Sequence, residues 1–182
     1  MARFLWASVS VVVVETIITG LALAPAVLFI HWQSTWPMST WIRLTLASLG
    51  FAPVYLLCAC WLMFYSALVT KALGWRTPAN VYEPLRDVSW PVLNWGRYLM
   101  TIHVVRIFAG PAFRATTIWN WYMRLNGARI GRDVWVNSLA LMDHNLLDFA
   151  DGVQVGALSL VPKFMQLETA GVYVGVPAVR VH

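Results

Sequence analysis

The first part of the chain contains two long apolar stretches. The first covers residues 4–30 and is interrupted by one ionisable residue, Glu15, and the second covers residues 44–69 and contains no charge. Each exceeds the roughly 20 residues that an α-helix needs to cross a hydrocarbon core. The pattern predicts two transmembrane helices, with kinks expected at Pro25 and Pro53. The first stretch is longer than the apolar core of a signal peptide and no clear cleavage site follows it, so we expect it to be a retained span.

Glu15 is the one ionisable residue at the depth of the predicted spans. A charged carboxylate at that depth costs about 3 kcal/mol on insertion scales. We interpret Glu15 as a polar contact between helices. A protonated carboxyl that the span tolerates, and a transport site, are the alternatives.

A proline-containing segment and two further helices are predicted after the apolar stretches. Residues 75–91 carry three prolines and are expected to be extended or turning. Residues 90–108 predict a helix that lies in the membrane interface. A third span is the alternative, because only Arg97, His103 and Arg106 interrupt its apolar character. Residues 117–125 predict a short helix rich in Trp and Tyr.

A six-residue rhythm begins at Ile130. Its recurring positions are expected to point inward, and they are Val134, Val136, Ala140, Met142, Phe149, Val153, Val155, Ser159 and Val161. A repeat of this length, with turns formed by Gly and Asn, is typical of β-solenoids. An antiparallel meander is the alternative. One step of seven, at residues 143–145, predicts a corner loop.

Several segments of this region resemble a known family. "GARIGRDVWVNS" and "DFADGVQVGALSLVP" are similar to the hexapeptide-repeat, left-handed β-helix acyltransferases. "GVYVGVPAVRV", residues 171–181, resembles the segment with which those domains leave the helix. The "YEPL" and "WYMRLNGARIG" segments, with the apolar region before them, resemble the membrane-associated C-terminal region of ε-poly-lysine-synthetase-type non-ribosomal peptide synthetases.

The resemblance implies a fold and a domain order. We expect a membrane protein with two N-terminal transmembrane α-helices plus interfacial helices, followed by a short left-handed parallel β-helix. The expected divisions are a transmembrane hairpin over residues 1–72, a basic aromatic connector over 73–126 and the β-helix with its exit segment over 127–182. The phased repeats cover only residues 130–161, under two turns of such a helix, so internal coils are expected to be missing.

The same resemblance implies acyl transfer, and His144 is the candidate for its chemistry. A neutral imidazole beside Asp143 or Asp148 has the properties of a general base towards an amine or hydroxyl that attacks a thioester. We expect no tightly bound cofactor, with an acyl-CoA or phosphopantetheine thioester as the donor. The alternative is that residues 143–145 form a solvated corner. Because the predicted stack is short, activity is expected to be absent or very weak.

The distribution of charge indicates the partners. Only 12% of residues are charged, against about a quarter in soluble proteins. Between Lys71 and Arg132 nine basic residues accompany two acidic ones, among many aromatic residues. This favours an anionic membrane surface over nucleic acid, for which no recognition module is visible. The basic excess after the second stretch predicts a multi-pass protein of the cell (plasma) membrane with both termini in the cytoplasm.

These observations leave two leading functions and one minor one. The first is a membrane-anchored, acyltransferase-like module of a poly-amino-acid synthetase. The second is a non-enzymatic membrane scaffold that assembles with other chains through the β-helix or the transmembrane helices. The minor function is a small transporter, and Glu15 is the only residue that suggests it. Cys58 and Cys60 face different sides of a helix, and we expect neither a disulfide nor a metal site from them.

Overall fold

The computed structural model describes residues 2–79, 84 and 88–181. Its helices are α1 (Ala2–Ala22), α2 (Ala24–Thr35), α3 (Thr40–Ala72), α4 (Trp90–Phe108), α5 (Gly110–Phe113) and α6 (Thr117–Leu125). Its strands are β1 (Arg129–Ile130), β2 (Trp135–Val136), β3 (Asp148–Phe149), β4 (Val153–Val155), β5 (Gln166–Leu167), β6 (Gly171–Val174) and β7 (Val179–Arg180). Of the "YEPL" segment only Pro84 is described, and the rest lies outside the described residues.

Two of the helices match the predicted spans. Helices α1 and α3 are long and apolar enough to cross a membrane. The first apolar stretch does not form one helix, however, because a turn at Leu23 separates α1 from α2. Pro25 lies in the first turn of α2, where its missing N–H costs nothing. Pro53 lies inside α3 without ending it.

The surface of helices α1, α2 and α3 is largely apolar. Large exposed side chains occur along all three, among them Phe4, Leu5, Trp6, Leu28, Trp41, Leu49 and Phe51. Trp41 is 80% exposed and Leu49 is 72% exposed. Soluble monomers rarely expose apolar surface on this scale. The helices therefore suit a membrane environment.

Helix α4 has the predicted bounds and packs alongside α1 and α3, which we call the helical hairpin together with α2. The Tyr55 hydroxyl of α3 donates a 2.6 Å hydrogen bond to the carbonyl of Phe108, at the far end of α4. At the other end Trp75, just after α3, packs with Tyr98 and Ile102 of α4. The two helices are therefore antiparallel neighbours. The location of α4 in the membrane interface stays a prediction.

The β region is a parallel stack. Ile130 of β1 pairs with Phe149 of β3, which pairs with Leu167 of β5. A second ladder joins β2, β4 and β6, and an isolated parallel bridge joins Leu141 to Val161. Partners are therefore 18 to 20 residues apart along the chain. This pairing contradicts the antiparallel meander for the strands of the two ladders. Within the described residues only β7 turns back, antiparallel to β6.

Most of the predicted inward positions are buried. Val134, Val136, Phe149, Val153, Val155, Ser159 and Val161 all lie in the interior. The prediction is wrong for Met142, which is 44% exposed while Leu141 is buried in its place. Ala140 is half-buried. The step from Val136 to the next buried aliphatic side chain, Leu141, is five residues rather than six, and Leu141 forms the parallel bridge to Val161. The corner comes after this shift: Asp143 adopts a left-handed backbone conformation (φ 54°) and residues 144–146 form a 3₁₀ turn.

The repeat also continues beyond its predicted end. Leu167 and Tyr173 are buried, six and twelve residues after Val161, and belong to the third strand of each ladder. The expectation of under two turns is therefore wrong. A solenoid needs about three stacked repeats to bury a continuous core. Both ladders contain three parallel strands and so reach that number.

One hydrophobic core joins the helices to the stack. It extends from Ile18 of α1 through α3 and α6 to Tyr173 of β6. Helix α6 lies between the two parts, with Trp119 and Tyr122 almost fully buried. The amide of Asn120, also on α6, donates a 2.7 Å hydrogen bond to the carbonyl of Val134. The first layer of the stack is thereby covered by helices.

Candidate functional site

Asp143 and His144 of the corner are buried and Asn145 is half-buried, so the alternative of a solvated corner is wrong. Asp143 is 5% exposed and His144 is 0% exposed. The corner meets two elements that lie far away in sequence, the segment after α3 and the first half of α4. The extra residue in the six-residue rhythm therefore forms a contact between the stack and the helices.

The Asp143 carboxylate is the centre of this contact. Its Oδ1 accepts hydrogen bonds from the hydroxyl of Thr77 and, at 3.0 Å, from the indole Nε1 of Trp95. The side-chain amide of Asn145 donates a 2.8 Å hydrogen bond to the carbonyl of Thr77. We refer to Thr77, Trp95, Asp143 and Asn145 as the corner clamp. A carboxylate that accepts hydrogen bonds from buried donors holds them more strongly than a neutral acceptor does.

His144 packs among aromatic rings beside the clamp. The imidazole is edge-on to Trp119, with ring centroids 6.2 Å apart, and to Tyr122, at 5.7 Å. Neither ring nitrogen has a hydrogen-bonding partner of normal geometry among the described residues. Burial lowers the pKa of His144 to about 4, because the charged imidazolium is disfavoured away from water. The imidazole is therefore neutral at pH 7.

The predicted pairing of His144 with a carboxylate is not formed among the described residues. The Asp143 carboxylate is directed to Thr77 and Trp95. Asp148 lies 3.7 Å from the exposed guanidinium of Arg129. His144 is also closed to solvent, so an acceptor nucleophile cannot reach it in this conformation. Its role as a general base stays a prediction.

Other charged side chains of the stack are occupied locally. Arg132 forms a 3.1 Å ion pair with Asp151 on the next layer. The ammonium of Lys163 lies 5.7 Å from the centre of the Trp95 ring, on the outer side of the clamp. Within residues 2–79, 84 and 88–181, no three His, Cys, Asp or Glu side chains are grouped as metal ligands.

Glu15 lies where α1 meets its neighbours. Its carboxylate oxygens are buried beside Thr101 of α4, without a hydrogen-bonding partner of normal geometry in the described part of the chain. This position between helices fits the interpretation as a packing contact, which stays a prediction.

The sequence did not indicate most of the residues around the corner. Thr77 and Trp95 are 66 and 48 residues from Asp143, and no local pattern connects them. Trp119 and Tyr122 had a weak signal, because they are three positions apart on a predicted helix and share one face. Arg97 was identified only as a residue that interrupts the apolar character of residues 90–108, whereas it is buried between Trp75 and Trp90.

Comparisons of the chain with protein-family models, with curated proteins and with solved structures found no match. The site must therefore be interpreted from its own geometry.

Proposed function

We propose that this chain is a membrane-anchored assembly module. In this proposal α1 to α3 insert into the plasma membrane with both termini in the cytoplasm. The parallel stack is a short left-handed β-helix, held at the cytoplasmic surface in a fixed orientation. Its exposed side chains contact other chains, and it performs no chemistry of its own.

The observation that carries the proposal is what the corner residues contact. The position expected to supply a catalytic base instead supplies Asp143 to the corner clamp and encloses His144 between Trp119 and Tyr122. A general base must come within hydrogen-bonding distance of the proton that it removes. The enclosed, neutral His144 supports a structural role over a catalytic one.

Acyl transfer is the second candidate, and one observation favours it. The ladder partners are 18 to 20 residues apart, which is the spacing that three six-residue steps produce and that the resemblance to hexapeptide-repeat acyltransferases implies. In this case the donor is an acyl-CoA or a phosphopantetheine thioester, and His144 is the base. The corner has to open before His144 meets an acceptor.

An acyl-transfer assay distinguishes the two functions. The full chain is purified in detergent, reconstituted into proteoliposomes and supplied with thioester donors and amine or hydroxyl acceptors. The assembly proposal predicts no turnover above that of the His144→Ala variant, and a defined oligomer by light scattering. Turnover that disappears in His144→Ala establishes the catalytic alternative. A monomer under all conditions contradicts assembly between copies.

A further inference from the structure

A groove lies between α1 and the first half of α4. Its volume is about 520 Å³, within the range of about 300 to 1,000 Å³ that is usual for small-molecule pockets. Its walls are mainly apolar and include Phe4, Ala7, Val11, Val12, Val92 and Met100. The groove therefore suits an apolar chain.

Arg97 is the charged residue of this groove. It is 7% exposed, and its guanidinium carbon lies 5.4 Å from the ring centre of Trp75 and 5.5 Å from that of Trp90. Its Nη1 donates a 3.0 Å hydrogen bond to the side chain of Asn94. Its Nε and Nη2 are buried and have no hydrogen-bonding partner among the described residues.

Two unpaired donors on a buried cation are unfavourable, because both the charge and the N–H groups have lost water without compensation. The Nε and Nη2 groups lie on one edge of the guanidinium, and such an edge binds two oxygens of one phosphate or carboxylate. An anion at this edge would satisfy both donors, and an apolar chain would fill the groove beside it. One amphiphile supplies both.

We propose that the groove binds one anionic phospholipid, with its phosphate at the Nε and Nη2 edge of Arg97 and an acyl chain between α1 and α4. The half-exposed Trp90 ring, 43% exposed, moves aside to admit the phosphate. This inference rests on the proposed membrane insertion. Acidic lipids are enriched in the cytoplasmic leaflet, where that topology places the first turns of α1.

Gly96 offers a way to block the groove without disturbing the helix. It lines the groove, and a Cβ built at this position meets no heavy atom within 4 Å. A Leu side chain therefore enters open space, and replacing Gly inside a helix favours the helix. Gly20 of α1 is the matched control, because its Cβ also meets nothing and it is outside the groove.

The test uses the full chain in neutral detergent with equal amounts of phosphatidylglycerol and diacylglycerol, which lacks the phosphate, and retained lipid is counted by native mass spectrometry. The wild-type chain is expected to retain one phosphatidylglycerol, preferred roughly tenfold or more, as a charge-assisted contact implies. Arg97→Gln is expected to remove the preference, and Gly96→Leu to remove retention. Arg106→Gln, on the same helix, and Gly20→Leu are expected to behave as wild type.

The outcomes separate this inference from the membrane proposal. A folded Arg97→Gln variant that keeps the preference overturns the lipid site. If Arg97→Gln does not fold, the Gly96→Leu variant decides, and its retention of lipid at the wild-type level overturns the site. A wild-type chain that floats with liposomes but shows no preference contradicts only the lipid site. A chain that does not float with liposomes contradicts both proposals.

Discussion

The indole Nε1 of Trp95 donates a 3.0 Å hydrogen bond to the carboxylate of Asp143, 48 residues further along the chain. Trp95 belongs to α4 and Asp143 to the corner of the β stack. The bond therefore joins a helix that packs on the hairpin to the only corner where the six-residue rhythm gains a residue.

Removing the Asp143 carboxylate is expected to destabilise the protein. Asp143→Ala leaves the buried hydroxyl of Thr77 and the half-buried indole of Trp95 without an acceptor, at a cost of about 1 to 3 kcal/mol. Asp143→Asn keeps an acceptor oxygen and tolerates the left-handed backbone, so its loss should be smaller. Urea unfolding in detergent measures the difference. Asp151→Ala, at an exposed ion pair, is the control and is expected to change little.

If Asp143→Ala and Asp143→Asn unfold at the wild-type urea concentration, the corner clamp does not hold the stack to the helices. The double variant Trp95→Phe, Asp143→Ala extends the comparison. Residues that share one hydrogen bond give non-additive losses, whereas independent residues give the sum of the two single losses.

The third layer of the stack makes a second prediction. Leu167 is 1% exposed and Val136 is 1% exposed, so Leu167→Asp and Val136→Asp each place an unpaired carboxylate in the interior. Both are expected to prevent folding or to lower the free energy of unfolding by several kcal/mol. Gln166→Asp and Gln154→Asp, on exposed neighbours, are the controls and are expected to be tolerated.

Limited proteolysis and thermal melting measure these four variants. If Leu167→Asp folds normally and Val136→Asp does not, the core ends before the third layer. Equal tolerance of all four would contradict the inward assignment of the stack as a whole.

The six-residue period was sufficient to find the inward valines, because one buried side chain per short strand is a local property of the sequence. The same period holds from Phe149 through Val161 to Leu167 and Tyr173. The prediction from sequence stopped before Leu167 because residues 162–165 carry no Gly or Asn turn signal. The strict spacing alone would have recovered the third layer.

The helix bounds were predictable for a similar reason. Residues 90–108 and 117–125 have local start and stop signals, such as Ser89, whose hydroxyl accepts from the Val92 amide, and Gly110 after the first helix. The corner clamp was not predictable, because Thr77 and Trp95 approach Asp143 only through tertiary packing. The burial of His144 follows from that packing and has no signature in the neighbouring sequence.

The enclosed imidazole predicts a dependence of stability on pH. The pKa of His144 is about 4 in the folded chain and about 6.5 when unfolded, so protonation favours the unfolded state. Above about pH 6.5 His144 is neutral in both states and does not lower the free energy of unfolding. As the pH falls from there towards 4, protonation in the unfolded state lowers the free energy of unfolding by up to about 3 kcal/mol. His144→Phe keeps the aromatic packing and should remove this part of the dependence.

Urea midpoints of the wild-type chain and of His144→Phe between pH 7.5 and 4.5 provide the comparison. A wild-type curve that falls more steeply than that of the variant is the expected result. Parallel curves would mean that His144 is accessible to protons in the folded chain, which would favour the catalytic alternative.

Membrane topology is the decisive test of the proposal that the helices hold the stack at the cytoplasmic surface. Ser34, near the end of α2, and Gln154, on the outer side of the stack, are both exposed. Each is changed to Cys in a chain with Cys58 and Cys60 replaced by Ala, and intact cells or sealed vesicles are labelled with an impermeant maleimide. We expect Ser34→Cys to be labelled from outside and Gln154→Cys to be labelled only after the membrane is opened. Labelling of Gln154→Cys from outside, or release of the chain from membranes by carbonate, would contradict a cytoplasmic stack held by the helical hairpin.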